Sequence, residues 1–297
     1  MHGKFKKALL LALGLVFISG CGSSHESGAA ESDAADSSAA VTGKADAAGT
    51  LTVRVLKAGK ADAIIMTCGG EVLVLDTGET DDGDELARKL RESGAGKVDY
   101  LIITHFDKDH VGGAVRLLES FPVGTVYLPD YAGTSAEYTA FMAALSEKGI
   151  TPVRLSEVLT FTFGDAGVTV EPPSSYEIRN VTEEYDNDFS LITTVVHGEN
   201  TLLFMGDAEK ARITEWLESG RVSDCTLLKV PHHGVYNKAL PALIGAVSPE
   251  YSVVCDSSKN PADERTMALL SSAGQVFETK DGDVAVVSDG ASLTVSG

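Results

Sequence analysis

The sequence predicts an α/β fold in which two sheets pack face to face with helices on the outside. Three observations predict it. Residues 51–297 alternate short apolar runs with stretches of helical spacing. A chain of 297 residues that is 43% hydrophobic and 23% charged can bury a large core. No internal repeat or second linker divides that region, so one layered domain accounts for both of its halves.

The amino terminus stands apart from this domain. Residues 1–7 are basic, with Lys4, Lys6 and Lys7, and 8–17 (ALLLALGLVF) form an apolar run too short for a permanent membrane span. This is the outline of a signal peptide. It closes on Ile18-Ser19-Gly20-Cys21, which resembles the lipobox of bacterial lipoproteins and implies a lipid on Cys21. Between Gly22 and Gly49 lie nine Ala, six Ser and four Gly in 28 residues, with no aromatic residue, too little apolar surface to offset the entropy of ordering. The expected division is therefore a signal peptide over 1–20, a lipid-anchored flexible tether over 21–49 and a folded domain over 50–297, held outside the cytoplasm at the cell membrane.

Within the domain, 51–56, 63–68 and 71–76 read as consecutive strands, the last two joined by a Gly69-Gly70 turn. Helical spacing over 82–93 and 135–148 stops at Gly94 and Gly149, and 100–104 between them reads as a buried strand. The second half again alternates strands with helices. Strands fall over 190–196 and 201–205, a helix over 208–218, strands over 226–230 and 251–255, a helix over 261–272, and short strands after Gln275. Cys68, Cys225 and Cys255 each sit at the end of an apolar run, as buried thiols do, and match no zinc finger or disulfide pattern.

Net charge excludes one class of partner recognition. At −19, and more negative once the basic leader is gone, the chain repels polyanions, so long-range attraction to nucleic acid or anionic lipid is not its main source of affinity. A local site for phosphate remains compatible with that charge.

The chemistry is concentrated at strand ends. The run Thr104-His105-Phe106-Asp107-Lys108-Asp109-His110-Val111-Gly112-Gly113 places His105, Asp107, Asp109 and His110 within six residues, directly after a buried strand. Three further strand ends add Asp76 (VLVLDTG), Asp207 (LLFMGD) and the pair His232-His233 (LLKVPHHG). Singly, Asp76 and Asp207 suit ordinary turns and one histidine suits the surface. Together, on one sheet edge, they make a metal site. His197, at a His-Gly turn, reads as structural.

These motifs resemble the metallo-β-lactamase fold superfamily, and within it the hydrolase-like carboxy-terminal domain of the ComEC competence proteins, which shows HxDxDHxGG, an Asn-x-x-Ser segment and a closing HHG. The resemblance covers 51–297 and implies a four-layer αββα sandwich. It further implies one metal at Asp109, His110 and His232, and a bridging Asp207 to a second metal at His105 and Asp107. His233 would lie behind the ligands and Asp76 would orient a ligand histidine. The superfamily's third histidine is absent. Asn187-Asp188-Phe189-Ser190 stands in its place, with Asn187 or Asp188 as a substitute. The opening DVGQGDA of the ComEC pattern is here Lys57-Ala58-Gly59-Lys60-Ala61-Asp62-Ala63, whose lysine pair either contacts an anionic substrate or merely solubilises the surface.

A mixed nitrogen and oxygen donor set suits one or two Zn or Mn ions. Such ions lower the pKa of a bound water enough to give a nucleophile near neutral pH, with Asp109 or Asp207 to carry the proton. The expected activity is hydrolysis of a phosphoester or phosphodiester, with nucleic acid a conceivable substrate although no basic surface favours it, in a protein expected to be monomeric. The alternatives are hydrolysis of a lactone, a phosphorylcholine ester or a β-lactam, the last disfavoured by HxD in place of HxH, and a lipid-anchored binding protein with a structural or degenerate metal site. Substrate choice is expected in the loops 77–84, 130–134, 172–188 and 235–238, where Tyr131, Tyr176, Tyr185 and Tyr236 either line a pocket or anchor the loops.

Overall fold

Strand order explains how distant parts of the chain come to share one edge. The computed structural model describes residues 49–177 and 185–297; the leader, the tether with Cys21, part of the 172–188 loop and the side chain of Tyr185 lie outside the described residues. The chain first lays down β1 (Leu51–Val55), β2 (Ala63–Cys68), β3 (Glu71–Thr77), β4 (Val98–Ile102), β5 (Val123–Pro129) and β6 (Val153–Leu155). It then builds a second sheet from β7 (Leu159–Phe163), β8 (Ala166–Glu171), β9 (Ile192–His197), β10 (Asn200–Phe204), β11 (Leu227–Lys229), β12 (Tyr251–Val254) and β13 (Gln275–Glu278). Finally it returns to the first sheet with β14 (Val284–Ser288) and β15 (Leu293–Ser296). The sheet orders are β15-β14-β1-β2-β3-β4-β5-β6 and β13-β12-β11-β10-β9-β8-β7. In each sheet the strands that feed the site run parallel, with Leu73 opposite Tyr100 in β3 and β4 and Leu202 opposite Leu227 in β10 and β11.

The helices are α1 (Gly83–Glu92), α2 (Lys108–Val111), α3 (Ala114–Ser120), α4 (Ala136–Glu147), α5 (Lys210–Glu218), α6 (Leu240–Val247) and α7 (Glu264–Ala273). Three apolar cores separate the four layers. One lies between the sheets, with Met66, Leu75, Phe163, Phe204 and Val253. A second joins α1, α3 and α4 to the outer face of the first sheet through Leu86, Leu117 and Phe141. The third joins α5, α6 and α7 to the second sheet through Trp216, Leu243 and Leu270. This is the expected αββα arrangement. Among the described residues no helix is long and apolar enough to cross a membrane.

Local chemistry sets the boundaries. Gly69 and Gly70, both at positive φ (57° and 83°), make the tight turn between β2 and β3, and Gly94 and Gly149 end their helices at φ of 82° and 68°. The Ser135 side chain caps α4 by accepting from Tyr138 N at 3.1 Å. Sequence reading missed β5 to β8, α3 and α6. The β5 segment is split by Gly124 and ends on Pro129, and α6 (LPALIGAV) is a short apolar run without helical period.

Cys68, Cys225 and Cys255 are free, buried thiols, and burial pushes that of Cys225 up to about 12, with Asp224 adding to it. Buried His197, the last residue of β9, faces Ser288 Oγ through Nδ1 at 2.7 Å, and Asn200 Nδ2 donates to the same hydroxyl at 2.9 Å, linking the two sheets. His197→Ala is expected to lower stability by about 1–3 kcal/mol without changing metal binding. Urea unfolding together with metal analysis checks both halves of that statement.

Candidate metal centre

Asp76, the penultimate residue of β3, is at φ 56°, a left-handed conformation that turns its carboxylate under the neighbouring loop. There Oδ1 accepts from Thr104 N at 2.8 Å and Oδ2 accepts from Thr104 Oγ1 at 2.7 Å. The same Oδ2 lies 2.8 Å from His110 Nδ1, which leaves Nε2 of that ring to face the site. The loop after β4 carries His105 and Phe106 to Asp107, the residue that precedes α2, and α2 delivers Asp109 and His110. Close approach explains the following glycine pair: a Cβ on Gly113 would stand 2.2 Å from Thr77 O, and one on Gly112 would stand 2.6 Å from Thr80 N.

From the second sheet, β10 leads through Met205 and Gly206 to Asp207, whose backbone N donates to Ser190 Oγ at 3.1 Å. After β11, His232 and His233 are both left-handed (φ 46° and 53°), followed by Gly234 at 78°. Two consecutive non-glycine residues in this region are strained, and such strain persists where the surroundings hold it, as at functional sites. The effect is to send the second imidazole inward. His233 Nε2 lies 2.9 Å from Asp207 Oδ2 and 3.6 Å from Asp109 Oδ2. His110 Nε2 lies 3.2 Å from the same Asp207 oxygen.

The structure thus brings together His105, His110 and Asp207 in one group and Asp109, His110 and His233 in another, with ligand atoms of each group within 4.8 Å of one another. All five residues are buried. Asp107 stands at the mouth, 41% exposed, with Oδ2 3.5 Å from His105 Nε2. The two terminal histidines differ in their surroundings. His232, expected as a ligand, turns to Glu209 Oε1, 3.2 Å from Nδ1, and to Asn187 Nδ2, 3.5 Å from Nε2, whereas His233 joins the carboxylates. The left-handed pair is the physical reason, because it reverses the chain between them. Asp188 is engaged elsewhere, its Oδ1 accepting from Arg212 N at 3.1 Å in the first turn of α5. Asn187 is buried beside His232 with its Oδ1 unbonded.

Three residues escape a reading of the sequence. Lys229 is fully buried beneath Asp207: its Nζ donates to Gly206 O at 3.1 Å, pairs with Asp62 Oδ2 and lies 3.8 Å from Asp207 Oδ1. The sequence shows Asp62 only as a remnant of the opening motif and gives no sign of Glu209. One signal was available, a lysine inside the apolar run LLKV. Three of the tyrosines have partners that anchor loops. Tyr131 Oη accepts from Phe106 N at 3.0 Å and donates to Asp186, Tyr176 donates to Leu155 O, and the Tyr236 ring lies 4.0 Å from the Arg265 guanidinium carbon.

Electrostatics fix the protonation of the cluster. Burial alone would push Asp109 up, but His233, His110 and Lys60, whose Nζ is 2.8 Å from Oδ2, hold it far below the usual carboxylate range. Asp207 is likewise held down, burial being outweighed by His110 and His233. Burial disfavours the charged form of His110, yet Asp207 and Asp76 raise its proton affinity well above that of a free imidazole.

Whether these residues fit a divalent cation is decided by their unmet bonding. His105 Nε2, His110 Nε2, His233 Nε2 and Asp207 Oδ1 are buried without a hydrogen bond among the described residues. A buried polar atom left unpaired costs about 1–3 kcal/mol, so histidine nitrogens gathered with Asp207 and Asp109 in groups whose ligand atoms lie within 4.8 Å of one another fit a cation that takes nitrogen and oxygen donors, such as Zn or Mn.

Comparison with known proteins agrees with this geometry. The sequence model of the Metallo-beta-lactamase superfamily matches residues 57–255, a stretch that holds every member of the cluster. The chain is 25% identical over 217 residues to Recombination protein 2 of Haemophilus influenzae, covering 71% of this chain and 25% of that protein. It is 25% identical over 219 residues to Competence protein ComA of Neisseria gonorrhoeae, covering 73% of this chain and 28% of the relative. The chain therefore spans about a quarter of the length of these curated relatives. Among solved structures, the metallo-beta-lactamase fold protein YhfI from Bacillus subtilis superposes with a TM-score of 0.55 at 10% identity, over 83% of this chain and 100% of that one, a likeness of fold alone.

Proposed function

The chain belongs to the metallo-beta-lactamase superfamily, and on that basis we propose that it is a metal-dependent hydrolase of phosphoesters, tethered outside the cytoplasm by a lipid on Cys21. The observation that carries the reading is the overlap at His110 of two ligand groups, one of His105, His110 and Asp207 and one of Asp109, His110 and His233, whose ligand atoms lie within 4.8 Å of one another in each group. His105, His110, Asp109, Asp207 and His233 would hold the metal, with Asp107 at the open side. When bound, a divalent ion supplies a Lewis acid and a nucleophile at neutral pH.

The protein's own groups do the rest. Asp76 fixes the His110 ring through Nδ1 so that Nε2 is presented to the site. Asp109 or Asp207 is placed to take a proton in transit and pass it to the leaving oxygen. Lys60 Nζ, beside Asp109 at the mouth, is placed to orient an anionic oxygen of the substrate. The exposure of Asp107 supports an open site for substrate and weighs against the binding-protein alternative, since structural zinc sites are closed. The lipobox at Cys21 supports the anchored location, and the tether over 21–49 supports a domain beginning near residue 50.

The experiment is to strip the protein with chelator, add back Mn or Zn and follow bis-p-nitrophenyl phosphate. Turnover is expected to return with the metal. Metal at one hundred times its Kd adds about 2.7 kcal/mol of stability, a rise in Tm of about 5–10 °C for a domain of this size. A rise in Tm with no turnover on any phosphoester would favour the binding-protein alternative, and neither change would remove the metal site.

A further inference from the structure

Beside the cluster lies a cleft of 520 Å³, formed where the loop between β1 and β2 meets the loop after β12. That volume is within the range of small-molecule sites, about 300–1,000 Å³. Lys57, Lys60, Lys259 and Lys280 line it, four cations in a chain of net charge −19. Lys60 joins cleft to cluster, since its half-exposed side chain lines the one and its Nζ lies 2.8 Å from Asp109 in the other.

Four acids line it too, Glu79, Asp81, Asp82 and Asp256, of which Asp81 is exposed and the other three are engaged. Asp82 Oδ2 accepts from Glu79 N at 2.8 Å, Glu79 lies 3.6 Å from Lys108 Nζ, and Asp256 is fully buried and pairs with Lys280 at 3.5 Å. By contrast, among the described residues no carboxylate lies within ion-pair distance of Lys57 or Lys259. Of the seven other lysines of the domain, four pair with acids, Lys89 with Asp283, Lys97 with Asp99, Lys108 with Glu79 and Lys229 with Asp62, whereas Lys148, Lys210 and Lys238 stand on separate surface segments outside the cleft. An acidic protein that gathers two unpaired cations in one cleft, together with a third that reaches the mouth of its site, is arranged to receive negative charge there.

We infer that this cleft is an anion subsite that holds a second phosphate of the substrate, one phosphate removed from the ester being cut, with Lys57 and Lys259 as its cations and Lys60 between the two phosphates. The inference rests on the phosphoester reading of the adjoining site. It also reconciles an acidic surface with an anionic substrate, because capture is local rather than by the field of the whole protein.

The test compares thymidine 3′,5′-bisphosphate with thymidine 5′-monophosphate, titrated calorimetrically into the full-length metal-loaded protein at low salt. The bisphosphate is expected to bind roughly tenfold more tightly, and Lys57→Ala with Lys259→Ala is expected to bring the two within about twofold, with an unchanged thermal midpoint showing that the variant folds. Equal affinities in the parent protein, or a preference that survives the double substitution, would overturn the inference. The affinity ratio needs no turnover. A lysine-dependent preference in a protein that hydrolyses no phosphoester would uphold the subsite and reject the hydrolase reading instead.

Discussion

Asp207→Ala is expected to lower kcat/KM for a phosphodiester by about 10³-fold and to weaken metal binding in the same protein. Three side chains converge on its carboxylate. His110 and His233 approach its Oδ2 at 3.2 and 2.9 Å, Lys229 approaches its Oδ1 at 3.8 Å, and that Oδ1 has no hydrogen bond of its own. Removing the carboxylate takes a ligand from the group it forms with His105 and His110, and takes away the main charge that raises the proton affinity of both His110 and His233. Asp207→Asn keeps the shape and loses the charge, so it separates the two roles. If only shape mattered, the amide would retain turnover. Metal analysis and steady-state kinetics on both variants give the answer, and near-parent activity of Asp207→Ala would show that the cluster is not the reaction centre.

The second large effect is on stability. Lys229→Met is expected to destabilise the domain by about 3–5 kcal/mol, because it leaves Asp62 charged, fully buried and without the ammonium that pairs with it. Burial opposes the charge on Lys229, but Asp62 more than offsets it and holds the ammonium protonated. The pair sits directly under the site: Asp62 N donates to Asp109 O at 3.1 Å, Gly78 N donates to Asp62 O at 2.7 Å, and Lys229 donates to Gly206 O. Adding Asp62→Asn to Lys229→Met is expected to restore about half or more of the loss, since the isolated charge is then gone. Urea unfolding of the four proteins of this cycle reads the coupling. A single variant within 0.5 kcal/mol of the parent, roughly the range of a neutral surface change, would mean the pair contributes nothing to holding the site.

Most of the fold was legible in the sequence because its strands carry their burial openly. The runs AIIMTC and EVLVLDT, separated by two glycines, can only be a hairpin with a buried face. The strands that were missed carry mixed signals. In LTFTF polar and apolar residues alternate at partial burial, and VGTVYLP ends on a proline. The site was legible in its residue types and opaque in its handedness. Nothing in the string His232-His233 says which imidazole faces inward. That follows from two left-handed residues, whose strain is met by contacts such as His232 N donating to Gly206 O at 3.2 Å. Asp188 was equally ambiguous, since a carboxylate near a histidine-rich loop serves a metal or a helix end, and here it serves the first turn of α5. Lys229 was missed because its role is defined by Asp62, far away in sequence and in contact only through the fold.

The most direct test of the central claim is metal content and phosphodiester turnover measured on one preparation, for the parent and for Asp109→Ala. Asp109 is buried against His233 and Lys60, so its loss removes a ligand and an ionised carboxylate at once. At least one divalent ion per chain, with turnover that depends on it and falls by about 10²-fold or more in the variant, is the predicted result. Parent protein that retains no Zn or Mn after dialysis, or turnover that Asp109→Ala leaves unchanged, would contradict it.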